Sequence, residues 1–434
     1  MKLHTRIHPG RRQVTVVLSA LLVASALVAV TVAPASGVAA SDVVPGQVIV
    51  KIDPLAGVGI DAINATHGTS TLRPLAVVSG IYLLGTPAGV PLEDLMDELE
   101  EDARLLYAEA NSISEAPETS RHVVYAWGGI TPRPEENASE LVALRLEEAH
   151  AISTGTGTVI AVVDTGAQLD HPELMAALVG GFDFIDGDAF PDDVPMGIDS
   201  DGDGTVDEGF GHGTHAAGVL RIVAPGAGIM PLRVLDSEGR GNVAVIGEAI
   251  VYAVDHGADV INLSFGAPTK SKVVRDAVRE ATSRGVVVVG AAGNLGSSRS
   301  VFPAADSCVL GTTATEGLGV LAEFANFGSW VAFAAPGESV FAAFPPSGFA
   351  WGTGTSVAAP FVAGQAALIN SVRPEFDARQ VAAVISATSQ GLDELNPDRG
   401  IRAGMPDVAA SLEGLATAQV PSTGTGLISG SCVG

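Results

Sequence analysis

The sequence predicts an α/β fold built on a doubly wound parallel sheet, preceded by a small α+β unit. Short apolar runs alternate with helical patterns through the middle of the 434-residue chain, which is typical of strand–helix–strand units. These runs are almost continuously apolar, as expected of parallel strands that helices cover on both faces. A separate group of strand and helix patterns precedes them, so we expect more than one folded unit.

The first forty residues have the pattern of an export signal. Basic residues up to Arg12 precede an apolar run over residues 14–33, and the small residues Gly37 to Ala40 suit cleavage. The apolar run is also long enough to span a bilayer, so a retained signal anchor is the alternative. We expect residues 1–40 to be a signal peptide and the protein to be secreted and extracellular.

Residues 41–115 are predicted to form the α+β unit. Strand patterns occupy Gln47–Ile52 and Ile81–Leu84, and a helical pattern occupies Pro91–Glu101. A shorter apolar stretch at Leu105–Ala108 leads to the end of the unit. By itself this pattern indicates only an accessory domain.

Three further regions follow. Residues 116–145 are predicted to be an exposed linker, because Pro, Glu, Ser and Gly accumulate over residues 115–137. Residues 146–415 are predicted to form the main domain, and residues 416–434 a flexible, low-complexity tail. The strand patterns of the main domain lie at Val159–Val163, Met230–Leu235, Val260–Leu263 and Val286–Val289. Its helical patterns lie at Val243–Val254 and Val273–Arg284.

The charge and the cysteines limit the possible partners and surroundings. A net charge of −26 repels phosphate backbones and anionic lipid head groups, which argues against nucleic-acid partners and stable membrane association. Cys308 and Cys432 are the two cysteines of the chain. They would pair in an oxidising compartment, or Cys308 would be a buried free thiol, and the sequence leaves both possibilities open.

An aspartate and a histidine stand where they suit proton transfer. Asp164 ends the strand pattern Val159–Val163, where a carboxylate can orient a histidine, although an Asp after a strand is often only a turn residue. His212 lies in a Gly-His-Gly-Thr-His segment, and histidine is the usual general base near neutral pH. Together with His215 it resembles a metal-binding pair, which is the alternative.

A serine and an asparagine suit nucleophilic attack and oxyanion binding. Ser356 lies in Gly-Thr-Ser-Val-Ala-Ala-Pro at a predicted helix start, where free N–H groups stabilise an oxyanion. Pro360 is expected in the first turn of that helix. Asn294 ends Ala-Ala-Gly-Asn and offers a second oxyanion donor. A plain N-cap serine and a turn asparagine are the alternatives.

These motifs together resemble the subtilisin-like serine protease family, the subtilases (peptidase S8). Asp-Thr-Gly, His-Gly-Thr-His and Gly-Thr-Ser-x-Ala-Ala-Pro occur in that order over about residues 155–388. The resemblance implies a subtilisin-like fold and a secreted serine endopeptidase acting on polypeptides. Ser356 would attack the peptide carbonyl, His212 would take its proton and Asp164 would orient His212. Asn294 would bind the oxyanion, and Val357 departs from the family's methionine.

The resemblance also implies a substrate-binding surface. One wall would line the pocket for the residue before the scissile bond, and the other would pair with substrate as an added strand. The residues of the first wall would be Ser264, Phe265, Gly266, Ala291, Ala292 and Gly293. Gly239 and Gly241 would belong to the pairing segment.

The accessory unit resembles the family's inhibitory propeptide. Tyr107–Asn111 reads Tyr-Ala-Glu-Ala-Asn, which is similar to the Tyr-Ala-Glu-Pro-Asn ending of such propeptides. The resemblance implies that residues 41–115 are an inhibitor-like propeptide, an intramolecular partner that the enzyme itself removes. Residues 116–145 would then contain the start of the mature chain.

An acidic segment between Asp164 and His212 predicts a structural calcium site. Carboxylates at Asp199, Asp201 and Asp203 match the first half of a calcium loop, and Asp207 and Glu208 are further candidate ligands. The twelfth position is occupied by Phe and not by Glu, so the segment is not a complete EF-hand. A merely solvated acidic loop is the alternative.

Two other functions are compatible with the sequence. A catalytically silent, subtilase-like binding protein is one, and the intact Asp164, His212, Ser356 and Asn294 argue against it. A membrane-tethered maturation protease is the other. Removal or retention of residues 1–40 would decide between a secreted and a tethered enzyme.

Overall fold

A computed structural model of the chain describes residues 42–117, 125–317, 319–415 and 426–432. The predicted signal peptide lies outside these residues. Among the helices of the described part, none is both long and apolar enough to cross a membrane.

The first elements form the predicted α+β arrangement. Four strands lie in the order β2-β3-β1-β4 with antiparallel neighbours. Along β1, Val48 and Val50 enter a small core with the two helices, whereas Ile49 enters the large core. This alternation follows from the two-residue period of a strand. The elements are β1 (Val43–Ile52), α1 (Ile60–His67), β2 (Ser70–Pro74), β3 (Ile81–Gly85), α2 (Leu92–Glu100) and β4 (Leu105–Glu115).

Apart from β9, which pairs with β4, the strands of the remaining described chain fall into two sheets. A predominantly parallel sheet has the order β13-β12-β11-β10-β6-β8-β7, with β14 also beside β12, and a smaller sheet has the order β15-β16-β5. These strands are β5 (Tyr125–Gly129), β6 (Val159–Asp164), β7 (Phe182–Asp183), β8 (Gly228–Arg233), β9 (Arg240–Asn242), β10 (Val260–Leu263), β11 (Val287–Ala291), β12 (Leu310–Glu316), β13 (Val320–Leu321), β14 (Phe333–Pro336), β15 (Val340–Phe344) and β16 (Gly348–Gly352).

Helices cover the parallel sheet. Every residue of β10 and β11 is buried, which requires cover on both faces, as the apolar runs of the sequence predict. Among these helices, α5 packs against α8, and α6 packs against α7. The helices are α3 (Ala138–Ala143), α4 (Leu146–His150), α5 (His212–Val223), α6 (Val243–Asp255), α7 (Lys272–Ser283), α8 (Thr355–Val372), α9 (Ala378–Thr388) and α10 (Val408–Leu415).

The region predicted to be an exposed linker contains regular structure. Tyr125–Gly129 forms β5 and pairs antiparallel with β16, and α3 follows at Ala138–Ala143. The ring of Tyr125 lies 4.8 Å from the ring of Phe344, measured between centroids. Aromatic packing of this kind stabilises a strand, so proline and glycine content alone is a poor guide to this segment.

The predicted flexible tail is anchored at residues 426–432. Leu427, Ile428 and Cys432 are buried, and a disulfide joins Cys432 to Cys308. The Thr282 hydroxyl donates a hydrogen bond of 2.9 Å to the Cys432 carbonyl. The structure therefore corrects the expected mobility of this segment and decides the cysteine pairing that the sequence leaves open. The remaining tail positions, 416–425 and 433–434, lie outside the described residues.

Candidate active site

Asp164 and His212 meet at the carboxyl end of the parallel sheet. Asp164 is the last residue of β6, and His212 is the first residue of α5. The Asp164 Oδ1 atom lies 2.6 Å from Nδ1 of His212, and both side chains are almost completely buried. A carboxylate at Nδ1 holds the ring proton there, which makes Nε2 the basic nitrogen. The pair is thus arranged to accept a proton on the opposite side of the ring.

Gly213 permits this close approach. A Cβ atom at position 213 would overlap the carbonyl oxygen of Gly166 and lie 3.1 Å from the Asp164 Cβ. The Gly213 N–H donates instead to the Thr165 hydroxyl at 2.9 Å. The glycine of the His-Gly-Thr-His motif is therefore needed to bring the start of α5 against the end of β6.

Asp193 supports the start of the same helix. Its carboxylate accepts hydrogen bonds from the N–H groups of Gly211 and Thr214, both at 3.1 Å, and from the Thr214 hydroxyl at 2.7 Å. Burial raises the pKa of Asp193 to about 6, against the lowering effect of these hydrogen bonds. No motif surrounds Asp193, so the sequence does not indicate its role.

Ser356 lies at the start of α8, as predicted, but Pro360 does not lie in the first turn. Pro360 is the sixth residue of the helix, so it removes the N–H that would bond to the Ser356 carbonyl. The Ser264 hydroxyl donates to that carbonyl at 2.9 Å. A side chain of the neighbouring loop thus replaces the missing backbone donor and fixes the backbone of the candidate nucleophile.

Asn294 is held by the first residue of α8. Its Oδ1 atom accepts from the backbone N–H and from the hydroxyl of Thr355, both at 2.9 Å. The carbonyl side of the amide is therefore directed to α8, and Nδ2 is its donor side. Asn326 supports the loop on both sides of Asn294, because its Oδ1 accepts from Leu295 N and its Nδ2 donates to Ala292 O. The supporting roles of Thr355 and Asn326 are not predicted from the sequence.

The residues predicted to line the specificity pocket come together, but most of them have no exposed surface. Ser264, Phe265, Ala291 and Ala292 are fully buried, and Ser264 has the structural contact described above. Gly266 exchanges two backbone hydrogen bonds with Glu115, at 2.8 and 3.0 Å. The predicted pocket wall therefore contacts the end of β4 in this structure.

The segment predicted to pair with substrate also pairs with β4. Residues Ile113–Glu115 form an antiparallel ladder with Arg240–Asn242, and the N–H of Ala116 donates to the Gly239 carbonyl at 2.9 Å. Gly241 is required in this strand because a Cβ there would overlap the carbonyl oxygen of Val234. The end of the first unit thus lies between β9 and Gly266 as an added strand.

The acidic residues divide into two groups. Carboxylate oxygens of Asp199, Asp201 and Asp203 lie within 4.8 Å of one another, and so do those of Asp201, Glu208 and Glu238. Burial raises the pKa of Glu238, and the charges of Glu208 and Asp201 raise it further. Both groups fit a hard cation, which prefers oxygen ligands. The histidine-pair alternative receives no support, since neither group found among the described residues contains a histidine.

Asp207 does not belong to either acidic group. Its Oδ1 accepts the N–H groups of Met196 and Gly197, at 2.9 and 2.8 Å. Burial tends to raise the pKa of Asp207, but hydrogen bonds from the Ser237 side chain and from these backbone N–H groups outweigh it, so the pKa is lowered. Asp207 therefore shapes the loop. Glu238, which directly precedes Gly239 of the predicted pairing segment, is a candidate ligand that the sequence does not indicate.

Comparison with known proteins agrees with this fold. Residues 155–404 match the model of the subtilase family, Peptidase_S8. Thermitase from Thermoactinomyces vulgaris is 38% identical over 238 residues, which cover 52% of this chain and 80% of thermitase. Subtilisin BL from Lederbergia lenta is 35% identical over 252 residues, covering 56% of this chain and 87% of that protein.

A solved structure extends the likeness of the fold. Fervidolysin from Fervidobacterium pennivorans, a keratinolytic enzyme related to subtilisin, superimposes with a TM-score of 0.71 over 89% of this chain and 63% of that chain, at 22% identity. The parallel sheet and the family match thus define a subtilisin-like fold. The chain belongs to the subtilase family. It is a subtilisin-like serine endopeptidase, a hydrolase that acts on peptide bonds, which confirms the predicted fold class and enzyme class.

Proposed function

We propose that the protein is a secreted endopeptidase that hydrolyses polypeptides through Asp164, His212 and Ser356, and that it is made as a self-processing precursor. One observation carries the assignment of residues. The buried carboxylate of Asp164 lies 2.6 Å from His212 Nδ1, which is the orienting contact that a serine–histidine pair requires.

The proposed reaction has two stages. His212 Nε2 accepts the proton of the Ser356 hydroxyl while Oγ bonds to the substrate carbonyl carbon. The resulting oxyanion accepts hydrogen bonds from Asn294 Nδ2 and the Ser356 N–H. Collapse breaks the C–N bond, and the amine leaves with the proton that His212 carried. Water then attacks the acyl-enzyme in the same way, with His212 again as the base.

The added strand supports self-inhibition. The backbone of residues 113–116 pairs with Arg240–Asn242 and with Gly266, where the sequence analysis expects substrate. A polypeptide substrate would use the same donors and acceptors. We propose that residues 41–115 dock in this way as an intramolecular inhibitor and that the enzyme removes them by cleavage.

Side-chain contacts on the main domain support this docking. Lys51 Nζ lies 2.6 Å from the Asp276 carboxylate on α7. The Glu109 carboxylate accepts the N–H groups of Lys272 and Val273 at 2.6 and 2.7 Å. A carboxylate at a helix N-terminus gains from the unpaired N–H groups and from the helix dipole.

Calcium is the proposed cofactor, with a structural role. The Asp199 carboxylate accepts the N–H groups of Gly202 and Gly204, at 2.7 and 3.1 Å, so the loop is already turned around its acids. Asp199, Asp201 and Asp203 would supply the oxygens for the ion, which would offset their mutual repulsion. Secretion is proposed from the signal pattern, and the Cys308–Cys432 disulfide supports an oxidising compartment.

The test compares wild-type precursor with Ser356→Ala. We expect wild type to lose its N-terminal region and digest casein, and Ser356→Ala to stay at full mass with turnover reduced about 10⁶-fold, the loss found for subtilisin. Ser371→Ala, on the same helix but in contact with Ser153, is the matched control and should behave as wild type. Mass spectrometry and casein hydrolysis give the two readouts.

Either of two results would contradict the proposal. Processing of Ser356→Ala at the wild-type rate would exclude self-cleavage through this serine. A folded wild-type protein that stays inert after an added protease has cut the 116–124 segment would favour the catalytically silent binding protein.

A further inference from the structure

The second acidic group joins the acidic loop to the substrate-binding edge. Asp201 and Glu208 belong to the segment before α5, whereas Glu238 directly precedes the glycine whose carbonyl binds Ala116. One carboxylate oxygen from each acid lies within 4.8 Å of the others. Calcium binds oxygens at about 2.3–2.6 Å, so one ion can contact three oxygens at such separations.

Glu238 provides an independent observation. Its side chain is buried, with 1% of the residue exposed. One carboxylate oxygen, Oε1, accepts the N–H of Asp207, whereas Oε2 has no hydrogen-bond partner within the described part of the chain. A buried carboxylate oxygen without a donor is costly. A cation between Glu238 and the two other acids would supply the missing partner.

The Arg240 side chain, two residues after Glu238, bonds to groups outside the three acids. The Arg240 guanidinium donates from Nε to Glu115 Oε1 and from Nη1 to the Ser200 carbonyl, both at 2.8 Å. Three carboxylates thus share a small volume in which a divalent ion would balance most of their charge. The oxygen-only donor set selects calcium or magnesium over softer metals.

Backbone contacts connect this group to the cleft. The N–H of Gly209 donates to the Ser237 carbonyl at 2.8 Å. A Cβ atom on Gly209 would overlap the backbone of Gly239, so the two segments are in direct contact. An ion that holds Glu208 against Glu238 would therefore also fix the position of Gly239 and the start of β9.

The geometry points to a divalent-cation site formed by Asp201, Glu208 and Glu238, in which calcium fixes the strand that pairs with polypeptide substrate. The site shares Asp201 with the group of Asp199, Asp201 and Asp203, and it differs from that group because one ligand, Glu238, comes from the substrate-binding segment. The effect on substrate rests on the proposed function. Binding of the ion does not depend on the proposed function.

Calorimetric titration with calcium tests the site itself. The protein is the Ser356→Ala precursor after chelation, so the result does not depend on protease activity. We expect Glu238→Gln to lose one calcium equivalent or to bind it at least about tenfold more weakly. Glu208→Gln, which removes the ligand from the segment before α5, should show the same loss. Glu140→Gln, a buried glutamate outside both acidic groups, is the control and should bind like the parent protein.

Thermal melting of the same proteins shows whether the variants fold. In chelator, Glu238→Gln should melt no lower than the parent, because it removes a buried charge among like charges. On addition of calcium the parent should gain more stability than the variant. Equal calcium affinity and an equal gain in melting temperature for the parent and Glu238→Gln would overturn the site.

Peptide hydrolysis by the processed enzyme tests the link to substrate. Removing calcium should raise the KM of the wild type about fivefold or more, with a smaller change in kcat, while the KM of Glu238→Gln should already be high and respond little to calcium. A wild-type KM that is independent of calcium would overturn the link. Absence of hydrolysis by wild type would contradict the proposed function and would leave the calorimetric result standing.

Discussion

Close contacts within the active site restrict which side chains single positions can carry. Gly213 is a glycine because the Gly166 carbonyl occupies the space of its Cβ. Ser264 has a hydroxyl because Pro360 leaves the Ser356 carbonyl without its helical donor. The motif residues therefore combine chemistry and packing, and a buried member such as Ser264 stabilises the site without itself facing substrate.

Substitution of Asn294 separates its proposed role as an oxyanion donor from its role in holding the start of α8. Asn294→Ala should lower kcat about 10²- to 10³-fold with little change in KM, because the amide donor acts on the oxyanion of the transition state. Asn294→Asp is the matched variant. It keeps the oxygen that accepts from Thr355 but lacks the donor, so it should lose a comparable factor.

Steady-state kinetics on a chromogenic peptide measures both effects. If Asn294→Asp retained wild-type kcat, the residue would serve only to hold the start of α8. The assignment of Asn294 to the oxyanion site would then have to be abandoned.

At the scale of elements, exposed edges and helix ends decide how the two parts of the chain meet. The end of β4 pairs with β9 because a strand edge presents unpaired N–H and C=O groups. The N–H groups at the start of α7 bond to the Glu109 carboxylate because the first N–H groups of a helix have no partner within the helix. The strand contact uses backbone groups on both sides, whereas the helix contact depends on the side chain of Glu109.

Removal of the Glu109 carboxylate should weaken the docking of the first unit. After the 116–124 segment of the Ser356→Ala precursor is cut, Glu109→Ala should dissociate about 10- to 100-fold more readily, since hydrogen bonds to a charged group contribute about 1.5–3 kcal/mol. Glu93→Ala, an exposed acid on α2, should have no effect. Size-exclusion chromatography over a dilution series measures the dissociation.

An unchanged dissociation constant for Glu109→Ala would show that strand pairing alone holds the first unit. The inhibitory contact would then lie in residues 113–116 only.

At the scale of the whole molecule, strand pairing and a disulfide join segments that are far apart in the sequence. Tyr125–Gly129 completes the sheet of β15 and β16, and the Cys308–Cys432 disulfide bridges a sequence separation of 124 residues. Closing so long a loop restricts the unfolded chain strongly. Segments that lie far from the catalytic motifs in the sequence therefore contribute to the stability of the domain that contains them.

Loss of the disulfide should reduce stability without removing the active site. In the Ser356→Ala background, replacing both cysteines by serine should lower the free energy of unfolding by about 3–5 kcal/mol, measured by urea titration. Reductant should lower the stability of the parent to the same level and leave the double variant unchanged. Equal urea midpoints for the oxidised parent and the double variant would contradict this prediction.

The sequence by itself determined the fold class, the enzyme class and the residues that the family motifs contain. Strands such as Val260–Leu263 could be predicted because a strand buried on both faces must be apolar throughout. Asp164 could be named because it follows an apolar strand pattern, and His212 because it lies in the Gly-His-Gly-Thr-His motif. Information of this kind is local, and a short window of residues carries it.

Tertiary structure alone decided the remaining features, because each depends on which distant segments meet. Glu238 joins the acids of the preceding loop because Gly209 packs against Gly239 and its N–H bonds to the Ser237 carbonyl. The order of residues 426–432 depends on Cys308, and the strand at Tyr125–Gly129 depends on β16. Composition describes what a segment contains, whereas burial and pairing depend on the partner that the fold brings to it.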